Sequence, residues 1–442
     1  MTRDALLSAL RSDDPAAAIA AATALGTEGD RAAVGGLANA LRSVDPDVRR
    51  AVCSALGEIG DPRAVGPLVS VLRDADPDVR GEAFSALLAI GHARAGELPL
   101  DAFLGENLLS PSDALTQVVW PTDLEAIALL AHALADEDPE VRIGAAYTLG
   151  RLGITSAYEP LAERLASDPD RDVRAAAAFA LTDLAARGET RVSAALRAAW
   201  DSVGDHEELA VQVIRGLADL GGRDAYDPLT EALRHRDERV RQLAAMGLGR
   251  LGDAAAVPRL ARLLSDPHRG VRRMAAAALG ALRDPLAIRP LVQAVHGNDA
   301  EVRATIADAV ARLDPGTVQT HLTECLMTPD AGLRESAVYL MGRLGWTAGL
   351  KRALRDPDDH VRKAATLAAG HGAADDLFEP LVAALDDPAW PVRVAAAESL
   401  RRWGDVRALA PLRQRLEDPH RVVRNAVGVA LRALSGEENP HE

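Results

Sequence analysis

The sequence predicts an all-α fold, a right-handed α-solenoid of about thirteen stacked helical hairpins. Three observations lead there: a phrase recurring at a fixed period, two helical apolar stripes within each period, and no β-rich segment. The phrase is "DPDVR", at Asp45 to Arg49 and again at Asp76 to Arg80. Marking its Arg gives Arg49, Arg80, Arg142, Arg174, Arg241, Arg272, Arg303, Arg334, Arg362, Arg393 and Arg424, with Arg334 following Leu333 instead of Val. The intervals are 31, 62, 32, 67, 31, 31, 31, 28, 31 and 31 residues, the signature of an array.

One unit, Asp61 to Gly91, shows how each element arises. Val65, Leu68, Val69 and Leu72 make one stripe, and Val79, Ala83, Ala86, Leu87 and Ile90 a second. Spacings of three and four place each stripe on one face of a helix. Between them, Asp76 is the expected N-cap, Pro77 sits at the first helical position, and Asp78 faces the positive end of the helix dipole. Gly91 is the expected stop. The repeat Arg lies at the edge of the buried stripe, which predicts a ladder to acids of neighbouring units through Arg49, Arg80, Arg142, Arg174, Arg241, Arg272, Arg303, Arg362, Arg393 and Arg424.

The remaining elements vary this script. The first hairpin, around Asp13 to Gly26, keeps Asp-Pro and lacks Val-Arg. The sixth, Asp205 to Gly221, has Ala210 in the place of the Arg, which accounts for the interval of 67. Residues 1–434 are expected to form a single continuous array, with a polar tail at 435–442. Residues 92–122 lack the signature yet carry Leu98, Leu100, Phe103, Leu104, Leu108, Leu109 and Trp120. They are either a degenerate repeat or an insertion that folds over a binding face with Phe103, Leu104 and Trp120.

The script "AVGPLVSVLRDADPDVRGEAFSALLAIG", echoed in "AYDPLTEALRHRDERVRQLAAMGLGRLG" and "AIRPLVQAVHGNDAEVRATIADAVARL", resembles the HEAT repeats of phycocyanobilin-lyase type. The resemblance covers nearly the whole chain apart from about 92–122 and specifies fold far better than function. It implies that the second helices line a concave surface. The position five residues after each repeat Arg then faces the groove, and it reads Tyr147, Phe179, Met246 and Tyr339 among others. With Ile143, Leu243 and Met274 these residues form a candidate apolar partner site. A second row, nine residues after the Arg, holds Arg151, Arg250, Arg312, Arg343 and Arg402, interrupted by Asp219 and Glu58. It is either a solvated face or a seat for acidic ligands.

Composition narrows the function. The net charge is −15, and Lys occurs only at 351 and 363 among 50 basic residues, as in proteins of halophilic archaea, although a GC-rich genome has the same effect on Lys. That charge disfavours nucleic acid, and a basic glycosylase-type groove is not present. The only internal His-Glu pair, His206-Glu207, cannot build the dinuclear iron site of a deoxyhypusine hydroxylase, so no metal and no cofactor are expected. His268 and His420 read as solvated variants of the capping phrase. Cys53 and Cys325 read as buried free thiols. With no signal peptide and no span of 18 apolar residues, the expected protein is cytoplasmic, monomeric and non-catalytic. It is a scaffold or adaptor for a folded protein or peptide, for instance in archaeal taxis signalling; the alternative is an auxiliary lyase-type subunit acting on a tetrapyrrole or a partner protein.

Overall fold

The structure, a computed structural model, describes residues 2–12, 14–72, 74–95, 130–371 and 374–435. Phe103, Leu104, Trp120 and the tail beyond 435 lie outside the described residues. The chain divides into two compact units, Met1–Ala232 and Leu233–Glu442. Each is a stack of helical hairpins, and among the described residues there is no strand.

The second helix of each hairpin is the longer one. In the first unit these are Pro15–Thr27, Pro46–Ile59, Pro77–Ala95, Pro139–Leu152, Arg171–Ala185 and Glu207–Leu220. In the second they are Glu238–Leu251, Arg269–Leu282, Ala300–Ala311, Ala331–Leu344, Asp359–Ala369, Trp390–Trp403 and Arg421–Ser435. Within each unit every second helix packs on the next. The first helices are short and commonly enter through a 3-10 turn, as at Ala254–Ala256 before Val257–Arg262. Val52, Leu56, Leu68 and Leu149 show what fills the space between layers: aliphatic side chains, almost wholly buried.

Capping follows the residues closely. The carboxylate of Asp76 accepts from the amides of Asp78 (2.9 Å) and Val79 (3.2 Å), and Asp45 does the same for Asp47 and Val48. Five second helices end on a left-handed residue that is glycine, Gly60, Gly153, Gly252, Gly345 and Gly404. Arg283 takes that role after Arg269–Leu282 with φ of 52°, a conformation that costs a side-chain-bearing residue about 1–2 kcal/mol. Gly91 is not a stop: the helix runs on to Ala95, because a mid-helix glycine costs only about 1 kcal/mol and no proline follows it there.

A second glycine, eight residues after the repeat Arg, governs packing. A methyl group at Gly57 would stand 2.8 Å from Ala86 Cα, and one at Gly249 would stand 2.8 Å from Ala278 Cα. The same holds for Gly150 on Ala180 Cα (2.5 Å) and Gly280 on Ala309 Cα (2.7 Å), and a methyl at Gly342 or Gly370 would stand 2.5 Å from the Cβ of Ala368 or Ser399. Between Arg171–Ala185 and Glu207–Leu220 the sizes are exchanged. Thr182 occupies the glycine's place and Gly216 receives it, 2.5 Å from Thr182 Oγ1 to a methyl added at Gly216.

The repeat arginines tie one hairpin to the next. Arg142 donates through Nε and Nη2 to both oxygens of Asp168 (3.0 and 2.9 Å), while Nη1 reaches the carbonyls of Asp136 and Glu137. The same fork joins Arg49 to Asp74, Arg241 to Asp266, Arg334 to Asp356, Arg362 to Asp387 and Arg393 to Asp418. The accepting Asp also takes an amide two residues on, as Asp74 does from Asp76. Arg80 makes a single bond to a carboxylate, Asp136 at 3.3 Å, while its Nη1 reaches the carbonyls of Asp74 and Ala75.

Other rungs depart from a simple ladder. Arg174 meets the Leu165 carbonyl and Ser202, because the position corresponding to the acceptor Asp is Gly204. Arg272 uses Asn298 (2.7 Å) and, at 3.4 Å, Asp299. Arg303 finds no carboxylate among the described residues, and its guanidinium stands 5.4 Å from the Tyr339 ring centroid. Among the described residues, Arg424 reaches only the carbonyls of Asp418 and Pro419. His268 and His420 are N-caps, one residue before the first turn; His420 is stacked on Trp390 at 4.2 Å and so is not simply solvated.

Bonds from Arg393 hold the Asp418 carboxyl below the usual carboxylate range against partial burial. For Asp387, burial pushes upward and the bonds from Arg362 and the Ala389 amide outweigh it. Carboxyls lowered on folding stabilise the fold above their unfolded value, about 3.9, and that contribution disappears as pH falls through the lower folded value. Asp168 has no side-chain exposure and Arg142 has 9 %. Arg142→Ala therefore removes both fork bonds from a buried carboxylate, leaving Arg164 at 3.3 Å as its cationic partner, and is expected to cost about 3 kcal/mol in urea unfolding. Arg174→Ala, which strands none, is expected to cost at most about half of that; equal losses would mean that the forks contribute no more than packing.

Candidate partner-binding face

On each second helix the positions one, two, five and nine after the repeat Arg lie along one face. In the first unit a shallow groove lined by Asp47, Arg50, Ala51, Ser54, Glu58 and Glu82 shows this, since Arg50, Ala51, Ser54 and Glu58 are those four positions after Arg49. The geometry has a local cause. Positions three, six and seven, such as Val52, Ala55 and Leu56, are spent on the core, and position eight is spent on the glycine contact. What remains forms the open face.

In the first unit Ile143, Tyr147 and Phe179 are all half-buried. The Tyr147 and Phe179 rings meet edge to face at 5.2 Å and 62°, the arrangement favoured by aromatic quadrupoles. The Arg151 guanidinium stands 5.9 Å from the Phe179 centroid. Burial raises the Tyr147 hydroxyl above its ordinary value, and the charges of Glu208 and Asp172 add to the shift. Asp183, nine residues after Arg174, belongs to the same patch and was not among the residues singled out from sequence, although the same counting leads to it. Burial raises its carboxyl, Arg151 and Arg187 oppose that, and its Oδ2 has no hydrogen-bond partner among the described residues. Arg187 donates to the Arg151 carbonyl at 2.7 Å.

In the second unit Leu243, Met246, Met274 and Tyr339 are likewise half-buried. Tyr339 differs from the others because Arg303 covers part of its ring. The row nine after the repeat Arg reads Arg250, Ala281, Arg312, Arg343, His371, Arg402 and Ala433, and its Arg and His members are exposed. Arg402 Nη1 lies 3.5 Å from His371 Nε2.

Among the described residues no three His, Cys, Asp or Glu side chains gather as metal ligands. His206 instead accepts from the Leu209 amide and stands 3.5 Å from Asp172. No described helix is long and apolar enough to cross a membrane. Cys53 is buried, and burial first, then nearby carboxylates, pushes its thiol up to about 12.

The family model described as HEAT repeats matches residues 3–88, 113–182, 194–279, 226–311, 257–342 and 347–432. The chain belongs to the HEAT-repeat family. No curated protein matches it. Among solved structures it is similar to an engineered protein, at 20 % identity over 98 % of this chain and 99 % of that one, with a TM-score of 0.35. It is also similar to Kap95p, whose structure describes its binding to RanGDP, at 13 % identity over 99 % and 72 % of the two chains, with a TM-score of 0.48. A Kap121p mutant is similar at 13 % identity and a TM-score of 0.46, and this chain spans half of its length.

A thiolate is the reactive form of cysteine, so the raised Cys53 thiol is expected to resist alkylation at pH 8 in the folded chain and to react once urea exposes it. Rapid labelling of Cys53 in the folded state, read by peptide mass spectrometry, would contradict the burial assigned to it.

Proposed function

We propose that the chain is a non-catalytic scaffold that binds a folded protein or an extended peptide on the open face of its second helices. The observation that carries this is the Tyr147 and Phe179 pair: two packed aromatic rings on the open face, pre-ordered by their edge contact and still half accessible. Rigid aromatic anchors of this kind supply contact area while losing little side-chain entropy on binding. Met246 and Met274, with Leu243, offer a softer apolar patch in the second unit. The net charge of −15 favours a protein partner over nucleic acid.

The finer placement is a monomer in a cytoplasmic signalling assembly such as archaeal taxis, in a halophilic cell. The acidic, almost lysine-free composition and the resemblance to phycocyanobilin-lyase-type repeats support it.

The test is a pull-down from native high-salt lysate with the wild-type chain and with Tyr147→Ala/Phe179→Ala, quantified by mass spectrometry. Loss of an aromatic anchor is expected to weaken the captured complex by about 2 kcal/mol, roughly thirtyfold, in a variant that still melts cooperatively. A partner retained equally by both chains would remove the aromatic pair from the site. Visible absorbance copurifying with the chain, and no protein partner, would point to the lyase-type subunit instead.

A further inference from the structure

The basic row in the second unit, Arg312, Arg343, His371 and Arg402, is exposed. The side chains of Arg312 and Arg343 are exposed and make no hydrogen bond or ion pair among the described residues. Arg402 Nη1 stands 3.5 Å from His371 Nε2, and neither side chain is bonded to a carboxylate among the described residues. They differ from the Arg-Asp forks, whose guanidinium groups are neutralised by carboxylates of the next hairpin. Arg343 and Arg402 lie in the last turns of Ala331–Leu344 and Trp390–Trp403, and Arg312 and His371 stand just past the ends of Ala300–Ala311 and Asp359–Ala369, so the four mark the C-terminal ends of four successive second helices.

Resting on the scaffold role above, we infer that this row binds an acidic, extended peptide segment running across the helices, with a carboxylate at about every third residue. Neighbouring helix axes are about 8–10 Å apart, and an extended chain advances about 3.3 Å per residue, so three residues of peptide match one helix step. The row five after the repeat Arg sets what lies between the carboxylates. It presents Tyr339 and Leu367 beside Arg343 and His371, which suits an apolar residue in the segment. It presents Asp308 and Glu398 one turn before Arg312 and Arg402, without an ion pair between them among the described residues. Those two acids disfavour a polyphosphate chain, whose charges are closely and evenly spaced, and they leave a spaced carboxylate pattern as the better match.

The test uses the full chain and a fluorescein-labelled peptide of repeating Glu-Leu-Ser, read by anisotropy at low salt, about 50 mM. The spaced peptide is expected to bind about tenfold more tightly than an isomer with its Glu residues clustered. Arg312→Gln/Arg343→Gln is expected to lose about tenfold in affinity for it, and Tyr147→Ala/Phe179→Ala to retain the wild-type value. Equal binding of the two isomers, or no change in the arginine variant, would overturn the proposal. So would an oligouridylate of matching length that binds more tightly than the peptide. A chain ended after Ser435 that binds the peptide about tenfold better would assign the row to the acidic tail of the chain itself. If the peptide fails while capture through Tyr147 and Phe179 persists, the scaffold role stands and the cation row is not its site.

Discussion

At most contacts between neighbouring second helices the backbones approach so closely that one of the pair carries a glycine there. Where Gly150 meets Ala180 or Gly342 meets Ala368, the space for a single methyl group is missing. Close approach brings backbone against backbone, and dispersion contacts gain steeply as gaps close. It also fixes register, since only the glycine position fits against the alanine of the next helix. Everything else in each unit is placed by that register: the Arg beside the Asp of the next loop, the aliphatic core, and the face that stays open.

The Arg-Asp forks secure the loop ends of the same interfaces. A desolvated fork returns little net stability over a well-packed apolar pair, but breaking one half is costly. Its worth is therefore specificity: a hairpin shifted by one residue would strand both the guanidinium and the carboxylate. The Asp that accepts the fork also accepts an amide just ahead of its own second helix, so stacking and helix initiation are joined in one side chain. At Ala210 the Arg is missing, and at Gly204 the acceptor is missing, yet Gly216 against Thr182 keeps the close contact. The steric term is retained where the electrostatic one is lost.

Much of this was legible in the sequence. The hairpins, the capping by Asp45 and Asp76 and the marker arginines follow from spacing and local hydrogen-bonding chemistry. The identity of the fork's acceptor is less direct, because the Asp of "DPDVR" is consumed by its own cap and the acceptor stands two residues earlier, 25 after the Arg in most rungs. The glycine eight after the Arg is a visible periodic signal that amphipathic patterning overlooks, since such patterning weighs side chains and glycine has none. The open face was placed by helical geometry, but which of its members are covered depends on neighbours. Tyr339 lies beneath Arg303, and Asp183 is drawn into a half-buried cluster with Arg151 and Arg187. No pattern within one repeat contains that information.

The most direct test of the steric account is a double-mutant cycle on Gly342 and Ala368, measured by urea unfolding. An unhindered helical Gly→Ala change stabilises by up to about 1 kcal/mol, whereas overpacking a close contact costs about 1–3 kcal/mol. A methyl group at Gly342 would stand 2.5 Å from Ala368 Cβ and 3.2 Å from its Cα. Gly342→Ala is therefore predicted to destabilise, and Ala368→Gly in that background to recover most of the loss, as the natural exchange at Thr182 and Gly216 does. A Gly342→Ala chain that is more stable than the wild type, with no coupling to position 368, would contradict the account.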